Sequence, residues 1–187
     1  MKLTSRSPLT TVALAAGDAM RRRGVRAVLT GGSAASVHSG GDYLSKDIDF
    51  VIQGAARQDQ IDAALQPLGF RRAGDRYVHP SLVFYVEFPP GPLAVGGDDG
   101  VKPVVVRDGR ARTLALSPTD SCRDRLAAFY HWDDRQSLRA AVLIADRHRV
   151  NLRLIERWSR GEGAAEKFAD FERRLRRLRS EHRRSRR

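Results

Sequence analysis

Two aspartates, Asp47 and Asp49, are separated by one residue in the otherwise apolar stretch DIDFVI, residues 47–52. The stretch is predicted to be a β-strand, and side chains alternate along a strand, so both carboxylates point to one face and Ile48 to the other. Crowded carboxylates repel each other unless a cation lies between them, and hard oxygen ligands suit Mg²⁺ or Mn²⁺. The pair therefore predicts a site for a divalent metal ion.

Upstream, Gly31, Gly32 and Ser33 lie where a predicted strand gives way to a predicted helix. The start of a helix presents free backbone N–H groups and the positive end of the helix dipole to an anion. Glycine lets the backbone come close to phosphate oxygens, and the Ser33 hydroxyl can donate a hydrogen bond to one of them. We therefore expect a triphosphate to bind at this turn.

A third acid, Glu87, lies in the apolar stretch LVFYVEFP, which is predicted to be another strand. A charge in such a strand is hard to explain unless it faces a cleft or a cation. Phosphoryl chemistry with two metal ions needs ligands for the ion that orients the attacking oxygen and for the ion that holds the phosphates. Glu87 is the predicted third ligand, and the alternative is an exposed residue at a sheet edge.

Together these features resemble the nucleotidyltransferase superfamily of the DNA polymerase beta type, and within it the small bacterial AbiEii-like and MNT-like groups. The resemblance covers roughly residues 25–90 and depends on the Gly-Gly-Ser turn, the later Asp-x-Asp strand end and the acid on a neighbouring strand. It implies phosphate contacts for Gly32 and Ser33, binding of Mg²⁺ or Mn²⁺ by Asp47 and Asp49, and the place of the third carboxylate for Glu87.

The chain departs from the pattern of these groups at three positions. Many members have an arginine four residues before the first aspartate and a threonine two residues before it, where this chain has Tyr43 and Ser45. The third acid, Glu87, stands where aspartate is more common. These departures support a second hypothesis, in which a nucleotidyltransferase-like fold no longer catalyses and serves as an antitoxin-like or RNA-binding module.

The stretch SPTDSCRDRLAAFYHW, residues 117–132, is the second candidate region. AbiEii-like proteins have a basic residue in a helix of this sort that reaches the nucleotide, and the resemblance implies that Arg123 or Arg125 takes this place. The alternative is a surface helix in which Leu126 and Phe129 pack inward and both arginines are solvated.

The predicted fold class is α+β: a small mixed β-sheet core flanked by helices, then a helical C-terminal half and a basic tail. The final helix carries an apolar stripe that includes Phe168 and Phe171, and Trp132 and Trp158 are predicted to anchor the core. Strands are predicted over residues 25–30, 47–52, 77–79, 82–88, 104–106 and 112–116. Helices are predicted over residues 8–23, 33–38, 58–68, 118–130, 134–148 and 151–160.

The formal net charge of +12 is concentrated at the C-terminus, because residues 173–187 contain nine arginines and one acid. This tail has three interpretations: a solvated helix end, a contact to RNA or DNA, and a surface for an acidic protein partner. The predicted organisation is a core over residues 1–116, a helical extension over residues 117–172, and the arginine-rich tail.

Cys122 is the single cysteine, which excludes an intramolecular disulfide and a multi-cysteine metal site and favours the cytoplasm. No segment has the apolar length that a membrane-spanning helix needs, so no membrane association is expected. The predicted function is Mg²⁺-dependent transfer of a nucleoside monophosphate from an NTP to an acceptor. The resemblance suggests an RNA, tRNA or protein acceptor in a toxin–antitoxin setting, with a cognate antitoxin or toxin as partner; a small-molecule acceptor also stays open.

Overall fold

The computed structural model describes residues 3–185, which form a mixed seven-stranded sheet followed by a group of packed helices. The strands are β1 (Ala27–Leu29), β2 (Ile48–Ile52), β3 (Arg71–Ala73), β4 (Arg76–Val78), β5 (Val86–Glu87), β6 (Val104–Asp108) and β7 (Ala111–Ala115). The helices are α1 (Leu9–Arg22), α2 (Gly31–His38), α3 (Gln58–Leu65), α4 (Pro118–Trp132), α5 (Arg135–Arg147), α6 (Leu152–Gly161) and α7 (Ala165–Arg184), with a 3₁₀ turn at Gln66–Leu68.

The strand order in the sheet is β3-β4-β5-β2-β1-β7-β6. The two central strands are antiparallel, with Leu29 opposite Phe50, whereas β2 runs parallel to β5 and β1 runs parallel to β7. Central strands are enclosed on both faces, so they need apolar side chains in both directions. The short strands β1 (AVL) and β2 (IDFVI) meet this need at every position except Asp49.

The two faces of β2 contact different parts of the core. Ile48 and Phe50 are fully buried in a cluster that includes Met20 of α1 and Leu65 of α3. Val51 points to the opposite face and belongs to a smaller cluster with residues of the segment that follows β5. Because side chains alternate along a strand, Asp49 shares the face of Val51 and is directed away from the cluster under α1 and α3.

The helical half has its own core, built where the apolar faces of α4, α5, α6 and α7 meet. Its fully buried members include Leu126, Leu138, Ile144, Ile155 and Phe171. The starts of three of these helices are capped by side chains that accept hydrogen bonds from free backbone N–H groups. Ser117 caps α4, Asp134 caps α5 and Asn151 caps α6.

Helix α2 contacts both cores and therefore joins the sheet to the helical half. Ala34 packs in the cluster beneath the sheet, while its neighbour Ala35 packs among the residues of α4 and α5. At the end of α2, Nε2 of the buried His38 lies 2.8 Å from the carbonyl oxygen of Leu116. Nε2 of His148 lies 2.9 Å from the carbonyl oxygen of His38. These contacts hold the end of α2 between the two halves.

The α+β fold class predicted from the sequence is confirmed, and the strands and helices differ from the prediction mainly at their ends. Helix α2 begins at Gly31 rather than Ser33, and the strand predicted over residues 82–88 is reduced to Val86–Glu87. Strand β3 was not predicted, because its residues Arg71–Ala73 are all exposed and show no apolar alternation.

The prediction that both tryptophans anchor the core is wrong for Trp132, which is 77% exposed at the end of α4. Trp158 is partly buried and stacks on Tyr130 with 5.6 Å between ring centroids. Helix α7 continues through residue 172, where the sequence predicts the start of the tail, and Arg186 and Arg187 lie outside the described residues. Among residues 3–185, no helix combines the length and apolar character needed to cross a membrane.

Candidate active site

The three acids predicted from the sequence come together at one end of β2 and β5. These strands are parallel, and their register pairs Asp49 directly with Glu87. Asp47 immediately precedes β2, where the backbone N–H of Ile48 donates to the carbonyl oxygen of Tyr85 at 2.9 Å. As a result, one carboxylate oxygen from each of Asp47, Asp49 and Glu87 lies within 4.8 Å of the others.

This concentration of negative charge changes the protonation of Asp49. Burial raises the pKa of Asp49 to about 8, together with the charge of Asp47 and with hydrogen bonding to and the charge of Glu87, while the charge of Arg125 opposes the change. A carboxylate with such a pKa is poorly compensated by the protein around it. The three half-buried acids therefore fit a divalent cation, which would supply the missing positive charge through oxygen ligands.

The loop that precedes β2 is tied to α2 by a chain of hydroxyl groups. Ser45 donates from Oγ to Oδ1 of Asp47 at 3.0 Å. The backbone N–H of Ser45 donates to Oγ of Ser36 at 3.0 Å, and this hydroxyl donates to the carbonyl oxygen of Gly32 at 3.0 Å. The serine that replaces the more common threonine thus orients the first carboxylate and links it to the start of α2.

The glycine pair is required by the close approach of α2 to the acids. A Cβ atom on Gly31 would lie 2.5 Å from Oδ2 of Asp49, and one on Gly32 would lie 2.4 Å from Oγ of Ser45. Gly31 also has a φ of +60°, which L-residues rarely adopt. The backbone at the start of α2 therefore reaches the carboxylates with no side chain in between, as the sequence-based prediction of a phosphate cradle requires.

Ser33 lies elsewhere than the sequence suggests. It is fully buried, its Oγ donates to the carbonyl oxygen of Thr30 at 2.9 Å, and the same oxygen accepts from the backbone N–H of Asp49 at 3.1 Å. The predicted phosphate contact of Ser33 does not match this placement, because the hydroxyl is already satisfied and withdrawn from the surface. Its contribution is to hold β2, and with it Asp49, against α2.

Arg123 and Arg125, the two basic candidates on α4, point in different directions. Arg123 is almost fully buried and forms ion pairs with Asp98 at 2.8 Å and Asp120 at 3.1 Å. The structure places it outside the cleft, against the ring of Trp158. Arg125 lines the cleft, and its charge opposes the rise in the pKa of Asp49. Of the two, only Arg125 is brought together with the acids.

Arg125 is held in place by both helices on its side of the cleft. Its guanidinium donates to Oδ2 of Asp124 at 2.7 Å and to Oγ of Ser137 at 3.3 Å. Ser137 belongs to the first turn of α5, where its backbone N–H and its hydroxyl both donate to Asp134. The capping arrangement that starts α5 therefore also positions a cation beside the acids.

The cleft itself has a volume of about 910 Å³ and lies between the sheet end, the middle of α4 and the first turns of α5. Sequence reasoning missed Lys46, Gln136 and Arg139, which also line it. Within residues 3–185, Lys46 and Arg139 form no ion pair. No sequence pattern distinguishes Lys46 and Arg139 from the other lysines and arginines, of which the chain has 34 in total.

The cleft contains both negative and positive side chains, so neither a lone cation nor a lone anion would be matched by all of them. Three carboxylates lie at the sheet end, while Lys46, Arg125 and Arg139 provide positive charge around them. A divalent cation with a bound polyphosphate satisfies both, because the cation neutralises the acids and the phosphates meet the basic side chains. The charges of the cleft accordingly favour a metal-bound polyphosphate as the ligand.

Comparison with known proteins identifies the fold of this chain. A crystal structure of an antigenic nucleotidyltransferase-like protein from Paracoccidioides brasiliensis is similar to this chain, with a TM-score of 0.57 and 18% sequence identity. The similarity covers 75% of this chain and 77% of that one. No protein-family model matches the chain, and no curated protein matches it. The chain therefore has a nucleotidyltransferase-like fold, and its activity must be argued from the site.

Proposed function

We propose that this protein is a metal-dependent nucleotidyltransferase that transfers a nucleoside monophosphate from an NTP to an acceptor. The observation that carries the proposal is the convergence of Asp47, Asp49 and Glu87 at the glycine-opened start of α2. A helix start can bind the phosphates of the substrate, and a cluster of acids can bind the metal ions that the transfer needs. Here the two are in contact.

The side chains of the cleft have distinct roles in this reaction. Asp47, Asp49 and Glu87 would hold divalent metal ions, which would supply charge neutralisation. The backbone at Gly32 and the guanidinium of Arg125 bind the triphosphate. Glu87 would also assist removal of the acceptor's proton as the acceptor oxygen bonds to the α-phosphorus, while the bond to the pyrophosphate breaks on the opposite side.

The acceptor in this proposal is an RNA, a tRNA end or a protein, and the setting is a cytoplasmic toxin–antitoxin pair. The basic residues of α7 support a nucleic-acid acceptor, and the resemblance to AbiEii-like and MNT-like proteins supports the toxin–antitoxin setting. A toxin of this kind would have a cognate antitoxin among its partners.

The proposal is tested by calorimetric titration of each of the four NTPs into the protein, with and without Mg²⁺. We expect binding that requires Mg²⁺ and that is lost in the variant Asp47→Asn/Asp49→Asn. The matched control is Asp75→Asn/Asp99→Asn, which changes the net charge equally at two exposed positions outside the cleft. The control variant should bind as the wild type does.

Binding alone does not establish transfer, so the second part of the test follows the phosphorus atoms. An NTP labelled at the α-phosphate should leave its label on the acceptor, whereas label at the γ-phosphate should appear in pyrophosphate. Magnesium-independent NTP binding, or none, would overturn the proposal. Either result would favour the module that binds a partner without catalysis.

A further inference from the structure

A second charged surface lies outside the active-site cleft, where the end of α5, the segment before α6 and the last turns of α7 meet. It consists of two neighbouring depressions of about 470 and 550 Å³ that share Arg149 and Arg179. We call this surface the basic groove. Its charged lining consists of five arginines, two histidines and one acid: Arg147, Arg149, Arg153, Arg179, Arg183, His148, His182 and Asp146.

The structure separates the arginines of α7 into two groups. Those on the side away from the groove form ion pairs with acids of the same helix: Arg173 and Arg174 pair with Asp170, and Arg177 pairs with Glu181. Within residues 3–185, by contrast, the groove residues Arg149, Arg153 and Arg183 form no ion pair. Three arginines without an ion pair among the described residues are thus gathered in the groove: Arg183 from α7, Arg149 from the segment before α6 and Arg153 from the first turn of α6.

The one acid of the groove does not cancel this charge. Oδ2 of Asp146 lies 3.1 Å from Nδ1 of His182, and its Oδ1 lies 3.8 Å from Nε of Arg179. Arg179 also donates to the carbonyl oxygen of Ala145, which fixes the last turns of α7 against α5. Asp146 thus organises two groove side chains and leaves the three unpaired arginines facing solvent.

The lining of the groove distinguishes between two polyanions, a nucleic acid and an acidic protein surface. Specific protein interfaces have an apolar centre, with charged groups at the rim. None of the large apolar side chains exposed among the described residues lines the groove, where the apolar residues Val150 and Leu152 are buried or half-buried. Arginines without an apolar centre match a phosphate backbone instead.

A hydrogen-bonded ion pair links the groove to the active-site cleft. Arg147 lines the groove, and its Nη1 donates to Oδ2 of Asp42, which lines the cleft, at 3.3 Å. The same nitrogen donates to the carbonyl oxygen of Ser39 at 2.9 Å, and its guanidinium lies so close to Gly40 that a Cβ there would be 2.5 Å from Cζ. Arg147, a residue of the groove, therefore contacts a residue of the cleft directly.

We propose that the basic groove binds the sugar-phosphate backbone of a nucleic-acid acceptor and that the end of this acceptor enters the active-site cleft past Arg147. The proposal rests on the function proposed above, narrows its acceptor from an RNA or a protein to a nucleic acid, and names the surface that binds it. Arg149, Arg153 and Arg183 contact phosphates, which gives affinity without selection among bases.

The test measures binding of fluorescein-labelled RNA and DNA single strands of one sequence by fluorescence anisotropy over a series of salt concentrations. The groove variant is Arg149→Ala/Arg153→Ala/Arg183→Ala. Its matched control is Arg173→Ala/Arg174→Ala/Arg177→Ala, which removes the same charge from the ion-paired side of α7. Both variants should have wild-type thermal unfolding, since all six side chains are exposed.

We expect the groove variant to lose at least about tenfold in affinity for single strands, with a salt dependence weaker by about two in the log–log slope for three phosphate contacts. The control should lose less than about threefold. Equal losses in both variants would overturn the proposal, because net charge alone would then explain binding. Binding of poly-glutamate but of neither nucleic acid would overturn it in favour of an acidic protein partner.

The RNA and DNA arms identify which nucleic acid is the acceptor, and two further measurements separate this proposal from the proposed function. The groove variant should keep wild-type Mg²⁺–NTP binding, and Asp47→Asn/Asp49→Asn should bind nucleic acid at least as tightly as the wild type. In transfer assays the groove variant should raise KM for the acceptor strand and leave KM for the NTP unchanged. An unchanged KM for the strand would overturn the link between groove and cleft.

Discussion

Asp49 is largely withdrawn from water and lies beside two other carboxylates, so ionising it costs free energy while no cation is bound. Its pKa of about 8 lies well above the value of 3.8 that it has when free in solution. Burial is the largest cause, and the charge of Asp47 and the contact with Glu87 add to it. Metal binding and proton binding therefore compete for the same carboxylate.

The first prediction concerns the pH dependence of thermal stability. The pKa of Asp49 is higher in the folded than in the unfolded state, so between about pH 4 and pH 8 the folded state keeps a proton that the unfolded state has lost. The free energy of unfolding therefore decreases as the pH rises through this range. Mg²⁺ binds the ionised form and removes this penalty. The increase in Tm caused by Mg²⁺ should therefore be larger at about pH 9 than at about pH 6, as measured by differential scanning fluorimetry.

The matched control for this measurement is Asp49→Asn, in which the group can no longer titrate. The difference between its Mg²⁺-induced Tm increases at high and low pH should be much smaller than in the wild type. A wild-type Mg²⁺ effect that is equal at both pH values would show that Asp49 does not bind the ion.

The second prediction concerns Gly32→Ala. The new Cβ would lie 2.4 Å from Oγ of Ser45, so this hydroxyl must leave Oδ1 of Asp47. We expect a loss of about 1–3 kcal/mol in the free energy of unfolding from overpacking, and loss of most Mg²⁺–NTP affinity by calorimetry. Gly97→Ala is the control, since nothing lies within 4 Å of its added Cβ. Equal NTP affinity in Gly32→Ala would exclude the start of α2 as the triphosphate site.

At the scale of helices and strands, the sequence predicts what depends on neighbours along the chain. The helical half and the strands predicted over residues 104–106 and 112–116 follow from local patterns and are present in the structure as α4 to α7, β6 and β7. Strand β5 is an example that local patterns do not predict well, because only two residues of the strand predicted over residues 82–88 pair in the sheet. Its parallel register with β2, which brings Glu87 beside Asp49, depends on a connection of more than thirty residues and has no local signal.

In helix α4, local sequence also fails to show which of two nearby arginines faces the cleft. Helical spacing places Arg123 and Arg125 on different sides, but which side faces the cleft depends on where the distant residue Asp98 and the helix α5 lie. Asp98 both accepts from the backbone N–H of Gly100 within its loop and pairs with Arg123. The sequence thus identified the helix and left the choice between its two arginines open.

The third prediction uses these arginines as a matched pair, Arg123→Met and Arg125→Met. Arg123→Met leaves Asp120, which is mostly buried, without its cation and should lower the free energy of unfolding by about 1–3 kcal/mol. Its Mg²⁺–NTP affinity should stay near that of the wild type. Arg125→Met should lower NTP affinity by about tenfold or more, as expected for one charge-assisted contact. Calorimetry and denaturant unfolding of both variants give the two readouts, and the reverse pattern would contradict the placement of these side chains.

At the scale of the whole molecule, the active-site cleft lies between two parts that have separate hydrophobic cores. The acids belong to the sheet, whereas Arg125 and Arg139 belong to helices of the C-terminal half. The two parts are joined by α2 and by hydrogen bonds at its end, including those of Arg147 and His148. The distances across the cleft thus depend on how firmly α2 holds both cores. The predicted organisation, with a core that ends at residue 116, does not include this role of α2.

The fourth prediction is that both parts unfold together. Leu65→Ala removes a fully buried side chain from the core beneath the sheet and should cost about 2–5 kcal/mol. Both tryptophans lie in the helical half, so tryptophan fluorescence reports on that part, and Trp158 stacked on Tyr130 provides the signal. Because α2 is shared, the denaturation midpoint by fluorescence should decrease as much as the midpoint by circular dichroism. A fluorescence midpoint that stays at the wild-type value would show that the helical half is an independent domain, and the cleft would then join two bodies free to move apart.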